Sequence, residues 1–298
     1  MTPDRFPGPA GLGPPAQNRL PSSGPENPLF SQSLSLHDSL GLGQASQGFE
    51  GFPKPVGSFL AKAAPMIVIR PHSGISGDMM VAGLLALSGG GQEALDDNLA
   101  RLGLESLAGK VKLTRRSVGG VSGLGLAIDI PPEGTHRTMA DIREFFLKAD
   151  ISQSAKKMAV GCFALVAEAE GQVHELPPEE VGFHEVGALD SLMDIGLSCA
   201  LFDSLGAPRL VCGPLPVADG AVRCAHGVLP SPAPAVAILL EGVAVRGFGG
   251  EGETVTPTGL ALLKCFGAQF GPWPAITIDR QAMVYGTKTF PGVPNGAL

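Results

Sequence analysis

The first sixty residues constrain the fold most, because their composition confines any hydrophobic core to the rest of the chain. Residues 1–60 contain ten Pro, nine Gly and eight Ser, and they show no sustained apolar period. Such a segment buries too little apolar surface to offset the entropy lost when its backbone is ordered. We therefore predict a disordered tail over residues 1–63 and a folded region over residues 64–298.

Helix and strand patterns are interspersed along the folded region. A short apolar run at residues 66–69 is rich in β-branched side chains and predicts a buried first strand. Helices are predicted over residues 79–87, 92–102, 139–148, 152–173, 189–205, 235–240 and 258–266, and further strands over 110–118, 124–130, 209–212 and 275–284. Loops are predicted to dominate the rest of residues 213–259. This mixture predicts an α/β or α+β fold with helices packed on a mixed β-sheet.

Charge and cysteine content exclude several classes of partner. The net charge of −7 and the single Trp and single Tyr disfavour nucleic-acid binding, which needs basic side chains and stacking platforms. No apolar stretch approaches the ~20 residues that a membrane span needs, and no secretory signal opens the sequence. Five widely spaced cysteines indicate neither a disulfide framework nor a zinc ribbon. We therefore expect a cytoplasmic protein without nucleic-acid or membrane partners.

The strongest candidate for a metal site lies between residues 183 and 195. His184 and Glu185 precede Asp190 and Asp194, and the two aspartates are four residues apart on one face of a predicted helix. Imidazole and carboxylate ligands together suit a divalent ion such as nickel, manganese or zinc. Alternatively, Asp190 is a helix N-cap and Asp194 is a solvated helix residue. The residues alone leave both interpretations open.

A Gly-containing loop joins the first predicted strand to the first predicted helix. It spans residues 73–78, and backbone N–H groups at such a helix N-terminus can bind an anion such as phosphate. The chain contains no Walker sequence, which disfavours a P-loop nucleotidase. Asp78 would repel a phosphate unless a metal ion bridges them. The alternative is a tight turn made by Gly74 and Gly77, with Asp78 capping the helix.

Two later segments also carry candidate ligands. Cys224 and His226 precede a proline-rich loop, and thiolate with imidazole suits nickel or zinc, although a buried free cysteine is the commoner outcome. Thr256 and Thr258 precede a predicted helix, where their hydroxyl groups could either cap the helix or contact an anion.

Taken together and in this order, these motifs resemble the LarC family of nickel-insertion proteins, which act in nickel-pincer cofactor synthesis. The matching stretches are residues 74–79, 183–194, 223–234 and 256–259. The resemblance covers the chain from about Met66 to its last residue.

The resemblance implies insertion of nickel into a pyridinium bis-thiocarboxylate mononucleotide by a lyase-type cyclometallase, with CTP hydrolysed and Mn²⁺ or Mg²⁺ assisting. The product would serve lactate racemase-type enzymes. On this basis we assign catalytic roles to His184, Glu185 and Asp78, cofactor binding to Ser73, Gly74, Ser76, Gly77, Thr256 and Thr258, and metal binding to His184, Asp190, Asp194, His226 and Cys224.

The chain departs from the family pattern at three places. Arg70 stands where members usually carry Asp, which removes a candidate ligand and adds a positive charge. A His-rich run that often precedes the position of His136 is absent, and the sequence ends at Leu298, where typical members continue into a CTP-binding domain. An alternative function is therefore a non-catalytic nickel-binding subunit that needs a separate CTP-binding chain. The sequence leaves a homo-oligomer open.

Overall fold

The β-branched run forms the first strand of a parallel sheet, and Ile67 and Ile69 in this strand pack against the hydrophobic core. The computed structural model describes residues 65–130, 137–183, 188–224 and 226–298, so the predicted tail lies outside the described residues. The strands are β1 Met66–Ile69, β2 Val111–Val118, β3 Val121–Ile128, β4 Arg209–Cys212, β5 Leu215–Val217, β6 Ala221–Cys224, β7 Gly227–Pro230, β8 Val245–Gly247 and β9 Gln269–Phe270. The helices are α1 Gly77–Ser88, α2 Gln92–Arg101, α3 Met139–Lys148, α4 Gln153–His174, α5 Leu189–Ser204, α6 Pro234–Leu239 and α7 Pro257–Cys265.

Parallel and antiparallel pairings occur in separate small sheets. The parallel sheet has the order β1-β4-β9, and β5 pairs with β8 in parallel. The antiparallel pairs are the hairpins β2-β3 and β6-β7. The α/β class is confirmed, but the strand directions are mixed between sheets and not within one central sheet.

Helix α5 lies at the centre of the core. Every residue from Ser191 to Phe202 is buried, and a helix that is buried all round must be surrounded by other elements. Helix α1 packs on one side of α5 and α4 on another, while α7 contacts both α4 and α5. Asp194, in the second turn of α5, therefore lies in a largely apolar interior.

The sequence predicted most elements within a few residues, but one predicted strand is absent and several short strands were not predicted. Residues 275–284 form no strand: Ile276 and Ile278 are exposed, and only Val284 makes isolated bridges. The last strand is β9, just before Pro272 and Pro274, which cannot donate to a strand ladder. In residues 213–259, where loops were expected to dominate, four strands of three or four residues form.

The last described residues brace the loop that follows β1. Arg70 and Leu298 exchange backbone hydrogen bonds of 2.7 and 3.2 Å. The Ser73 hydroxyl accepts a hydrogen bond of 2.8 Å from the backbone N–H of Gly296. These contacts tie the Gly-containing loop to residues 296–298.

Candidate functional site

Two buried carboxylates meet where α1 begins against α5. Asp78 lies in the first turn of α1 and Asp194 lies in the second turn of α5, and each is 8% exposed. Within the described part of the chain, Asp78 Oδ2 and Asp194 Oδ1 have no hydrogen-bond partner. Buried carboxylate oxygens without partners are costly, so the pair is suited to a cation or a proton.

Gly77 allows the two helices to come this close. A Cβ atom on Gly77 would lie 2.5 Å from Asp194 Oδ2 and 2.7 Å from Asp194 Cβ. Any side chain here would therefore push α5 away from the first turn of α1. Gly77 was predicted to bind cofactor, and the structure places it against Asp194 instead of in the cleft described below.

Burial and mutual repulsion disfavour ionisation of both carboxyl groups. Burial raises the pKa of Asp194 well above its usual value of 3.8, and the charges of Asp78 and Asp190 raise it further. Burial also raises the pKa of Asp78, although the Ser76 hydroxyl, the Met79 backbone N–H and the charge of Arg116 oppose that shift. At least one of the two can therefore hold a proton where an exposed aspartate would not.

The helix-capping alternative for the aspartates of α5 is wrong in both parts. Ala188 occupies the N-cap position, with Asp190 in the first turn, and Asp194 is buried instead of solvated. Asp190 is exposed, so the two predicted ligands differ in their contact with solvent. Ser198, one helical turn beyond Asp194, is also buried, and its hydroxyl has no partner among the described residues. Its spacing of four from Asp194 is a signal that the sequence analysis missed.

The first and last predicted motifs lie side by side. Gly74, with φ of +134°, approaches Thr254 so closely that a Cβ atom would lie 1.6 Å from the Thr254 carbonyl oxygen. The backbone N–H of Ile75 donates to that oxygen over 3.0 Å, and the N–H of Thr256 donates to the Ile75 carbonyl over 3.1 Å. The two loops thus form one unit at the N-termini of α1 and α7.

A cleft of about 350 Å³ opens over this unit. Its lining includes four of the six predicted cofactor-binding residues: Ser73, Gly74, Ser76 and Thr256. Thr256 also caps α7, since its hydroxyl accepts from the Gly259 N–H, so the capping alternative is confirmed for this residue. Thr258 hydrogen-bonds to Thr256 through its hydroxyl, 3.0 Å away, but lies outside the lining.

Two cations that the sequence analysis did not select also line the cleft. Arg223 comes from β6, and Lys288 comes from the segment after Tyr285. The Lys288 Nζ donates to the Glu251 carbonyl over 2.8 Å and lies 4.7 Å from the Phe290 ring centroid. Glu253 is the acidic residue among the described lining residues. Hydroxyl groups, helix N-termini and cations together form a surface suited to a phosphate.

Arg70 takes a different position from these cations. Its guanidinium donates to the Gly271 carbonyl over 3.1 Å and lies 5.3 Å from the Trp273 ring centroid. It also lines the space beside Gly213, where a Cβ atom would lie 2.8 Å from Arg70 Cζ. Arg70 therefore packs against a loop near β4 and is absent from the described lining of the cleft.

The second set of predicted ligands lies on the β6-β7 hairpin. Cys224 ends β6 and is half-buried, and none of the five cysteines forms a disulfide. His226 lies in the turn, and its ring centroid is 4.9 Å from that of His174 at the end of α4. His174 had no predicted role, because nothing local connects residues 52 positions apart.

His184 and Glu185 lie outside the described residues. The residue before them, Phe183, is buried against the Phe163 ring, with centroids 5.7 Å apart, and its N–H donates to the Arg137 carbonyl over 3.0 Å. Within the described ranges, no three His, Cys, Asp or Glu side chains are arranged to hold a metal ion.

Comparison with known proteins decides the family. The family model described as nickel insertion protein matches residues 67–297. The chain belongs to the nickel insertion protein family. A relative from Pelobacter propionicus named for nickel insertion is 41% identical over 223 residues. A Staphylococcus epidermidis relative, named pyridinium-3,5-bisthiocarboxylic acid mononucleotide nickel insertion protein, is 35% identical over 219 residues. The resemblance drawn from the motifs is therefore confirmed.

The match covers a larger share of this chain than of its two relatives. It spans 75% and 74% of this chain but 57% and 55% of these two relatives, so the chain corresponds to little more than half of their length. No solved structure matches the chain. Among the helices of the described residues, none is long and apolar enough to cross a membrane.

Proposed function

We propose that this chain inserts nickel into pyridinium-3,5-bisthiocarboxylic acid mononucleotide, the substrate named for the Staphylococcus relative. One observation carries the proposal. The Ser76 hydroxyl lines the cleft and donates a hydrogen bond to Asp78 Oδ1, so a phosphate-type cleft and a buried carboxylate pair share a side chain. A substrate with a phosphate at one end and a reacting ring at the other needs both kinds of surface.

The cleft would hold the phosphate of the mononucleotide. Ser73 and Thr256 offer hydroxyl groups near the N-termini of α1 and α7, and Arg223 and Lys288 supply positive charge. Arg116 holds one side of the cleft in place. Its guanidinium donates to the carbonyl groups of Gly286 and Thr287, which both line the cleft.

The carboxylates would handle the proton that nickel displaces. A pincer forms at the ring carbon between the two thiocarboxylates, so that carbon loses its hydrogen as a proton and the C–H electron pair becomes the carbon–nickel bond. Each thiocarboxylate sulfur donates a lone pair to the same nickel ion. Asp78 has a raised pKa and is the proposed proton acceptor, because a base works best when its pKa approaches the working pH.

Asp190 and Asp194 are the proposed ligands of the assisting Mn²⁺ or Mg²⁺. Their oxygen donors match the preference of these hard cations, and Asp194 Oδ1, which has no hydrogen-bond partner in the described part of the chain, fits such a role. The cation would supply positive charge that favours ionised carboxylates and offsets phosphate charge. Lyase-type cyclometallation with CTP hydrolysis in the cytoplasm, and the proposed roles of His184 and Glu185, follow the family resemblance.

The test is direct detection of the product. The chain is incubated with nickel, the mononucleotide, CTP and Mn²⁺, alone and with a separately supplied CTP-binding region of a full-length relative, and the product is measured by mass spectrometry. We expect a product that contains nickel and lacks one hydrogen. Nickel binding without product under both conditions would favour the alternative of a non-catalytic nickel-binding subunit.

A further inference from the structure

The strongest feature outside the carboxylate pair and the cleft is a pair of histidines on the surface. His174 is the last residue of α4, which ends because Glu175 adopts a left-handed conformation with φ of +55°. His226 lies in the turn of the β6-β7 hairpin, just before Gly227 with φ of +95°. Both histidines are exposed, so metal in solution can reach them.

The separation of the two rings matches a shared metal ion. An ion bound about 2.1 Å from a ring nitrogen lies roughly 3.2 Å from the ring centroid, so two neighbouring ligands place their centroids about 4.5–5.2 Å apart. The observed separation is 4.9 Å, with 40° between the ring planes. The tilt also distinguishes the pair from the parallel stack of Phe202 and Phe266, whose planes differ by 3°.

Glu170 lies beside one of the two rings. It lies one helical turn before His174 on α4, and its Oε2 is 3.5 Å from His174 Nε2. With the carboxylate beside one ring nitrogen, the other nitrogen of the ring is the candidate metal ligand. Ligand histidines commonly have such a carboxylate partner.

We propose that His174 and His226 form the site at which this chain first takes up nickel from solution. Imidazole nitrogen suits Ni²⁺, whereas the oxygen ligands of the carboxylate site suit harder cations. Because no cluster of three candidate ligands occurs in the described residues, this pair would leave several coordination positions to water. An ion held by few protein ligands is released readily, as a metal that is cargo must be. The claim that this site supplies nickel for insertion rests on the proposed function. The claim that the histidine pair binds nickel is independent of it.

The test measures nickel binding to the tag-free chain by isothermal titration calorimetry, with nickel added up to one equivalent per chain. We expect His174→Gln and His226→Gln each to lower the nickel affinity at least tenfold, because an amide keeps the polarity of the side chain but is a poor ligand. His72→Gln is the matched control, since His72 lies on the loop after β1. Folding of each variant is checked by its unfolding midpoint.

Unchanged nickel affinity in the folded His174→Gln and His226→Gln variants would overturn the proposal and leave the pair as a ring contact. Nickel dependence of product formation separates this failure from failure of the proposed function. We expect His174→Gln to need at least tenfold more nickel for the half-maximal rate, with excess nickel restoring product. A wild-type chain that loads nickel at the pair but forms no product would contradict the proposed function alone.

Discussion

The buried carboxylates and the surface histidines both offer metal ligands, but they differ in what they cost the folded chain. Asp78 and Asp194 are 8% exposed, and each has one oxygen without a hydrogen-bond partner among the described residues, whereas His174 and His226 are exposed to water. Burial makes an unoccupied carboxylate pair unfavourable, so it should bind a cation or a proton tightly. Exposed imidazoles lose little hydration in the free protein and can load and unload metal reversibly. The contrast fits a division between a reaction centre and a loading site.

The largest expected effect is on product formation, when the proposed base at the carboxylate site is removed and the histidine pair is left intact. Asp78→Asn should lower product formation at least about 100-fold, because general bases contribute 10²–10⁴-fold and the amide cannot accept the ring proton. Nickel binding at the histidine pair should persist. Initial rates followed by mass spectrometry check this, with the exposed Asp97→Asn as the matched control. Full activity in Asp78→Asn would remove Asp78 from the chemistry.

A second prediction concerns the close approach of α5 to α1, which buries the carboxylates and so distinguishes them from the histidine pair. Gly77→Ala should lower the free energy of unfolding by about 1–3 kcal/mol, because the new methyl group collides with Asp194. Urea unfolding measures the loss. Gly247→Ala is the control, since a Cβ atom there meets nothing within 4 Å. Equal stability of the two variants would mean that the helices separate without cost.

The smallest effect is the pH dependence of the carboxylate site. The raised pKa of Asp194 means that the folded state holds its proton more tightly than the unfolded state does. Its contribution to stability is therefore complete below about pH 3.8 and is lost as the pH rises through the folded pKa. We expect the metal-free wild type to lose stability on going from pH 4 to pH 8, and Asp194→Asn to lose less, by about 1–2 kcal/mol.

Added Mn²⁺ tests whether the ionised form of the same carboxylate, Asp194, binds a cation. It should raise the unfolding midpoint of the wild type at pH 8 more than that of Asp194→Asn, because a cation favours the ionised folded form. Identical midpoint shifts in both proteins would argue against Asp194 as a ligand.

Local patterns in the sequence predicted the elements that carry the site. Helix α3 and strands β1 and β4 have the predicted bounds, because apolar spacing and chain-breaking residues act over a few positions. The spacing of four between Asp190 and Asp194 likewise predicted that both lie on one helix. The strand prediction for residues 275–284 failed because only Val284, at their end, bridges to Leu124 of β3 and to Ala297, while Ile276 and Ile278 stay exposed.

The sequence by itself determined the family and most of the helices, since both depend on residues close together in the chain. Tertiary structure alone decided that Gly74 contacts Thr254, that Asp194 is buried against Gly77, and that His174 faces His226. These residues are separated by 180, 117 and 52 positions, and only the packing of α1, α4, α5 and the hairpin sets their distances. Burial, which makes Asp194 differ from the exposed Asp190 one turn away, is likewise a property of the packed core and has no local signature.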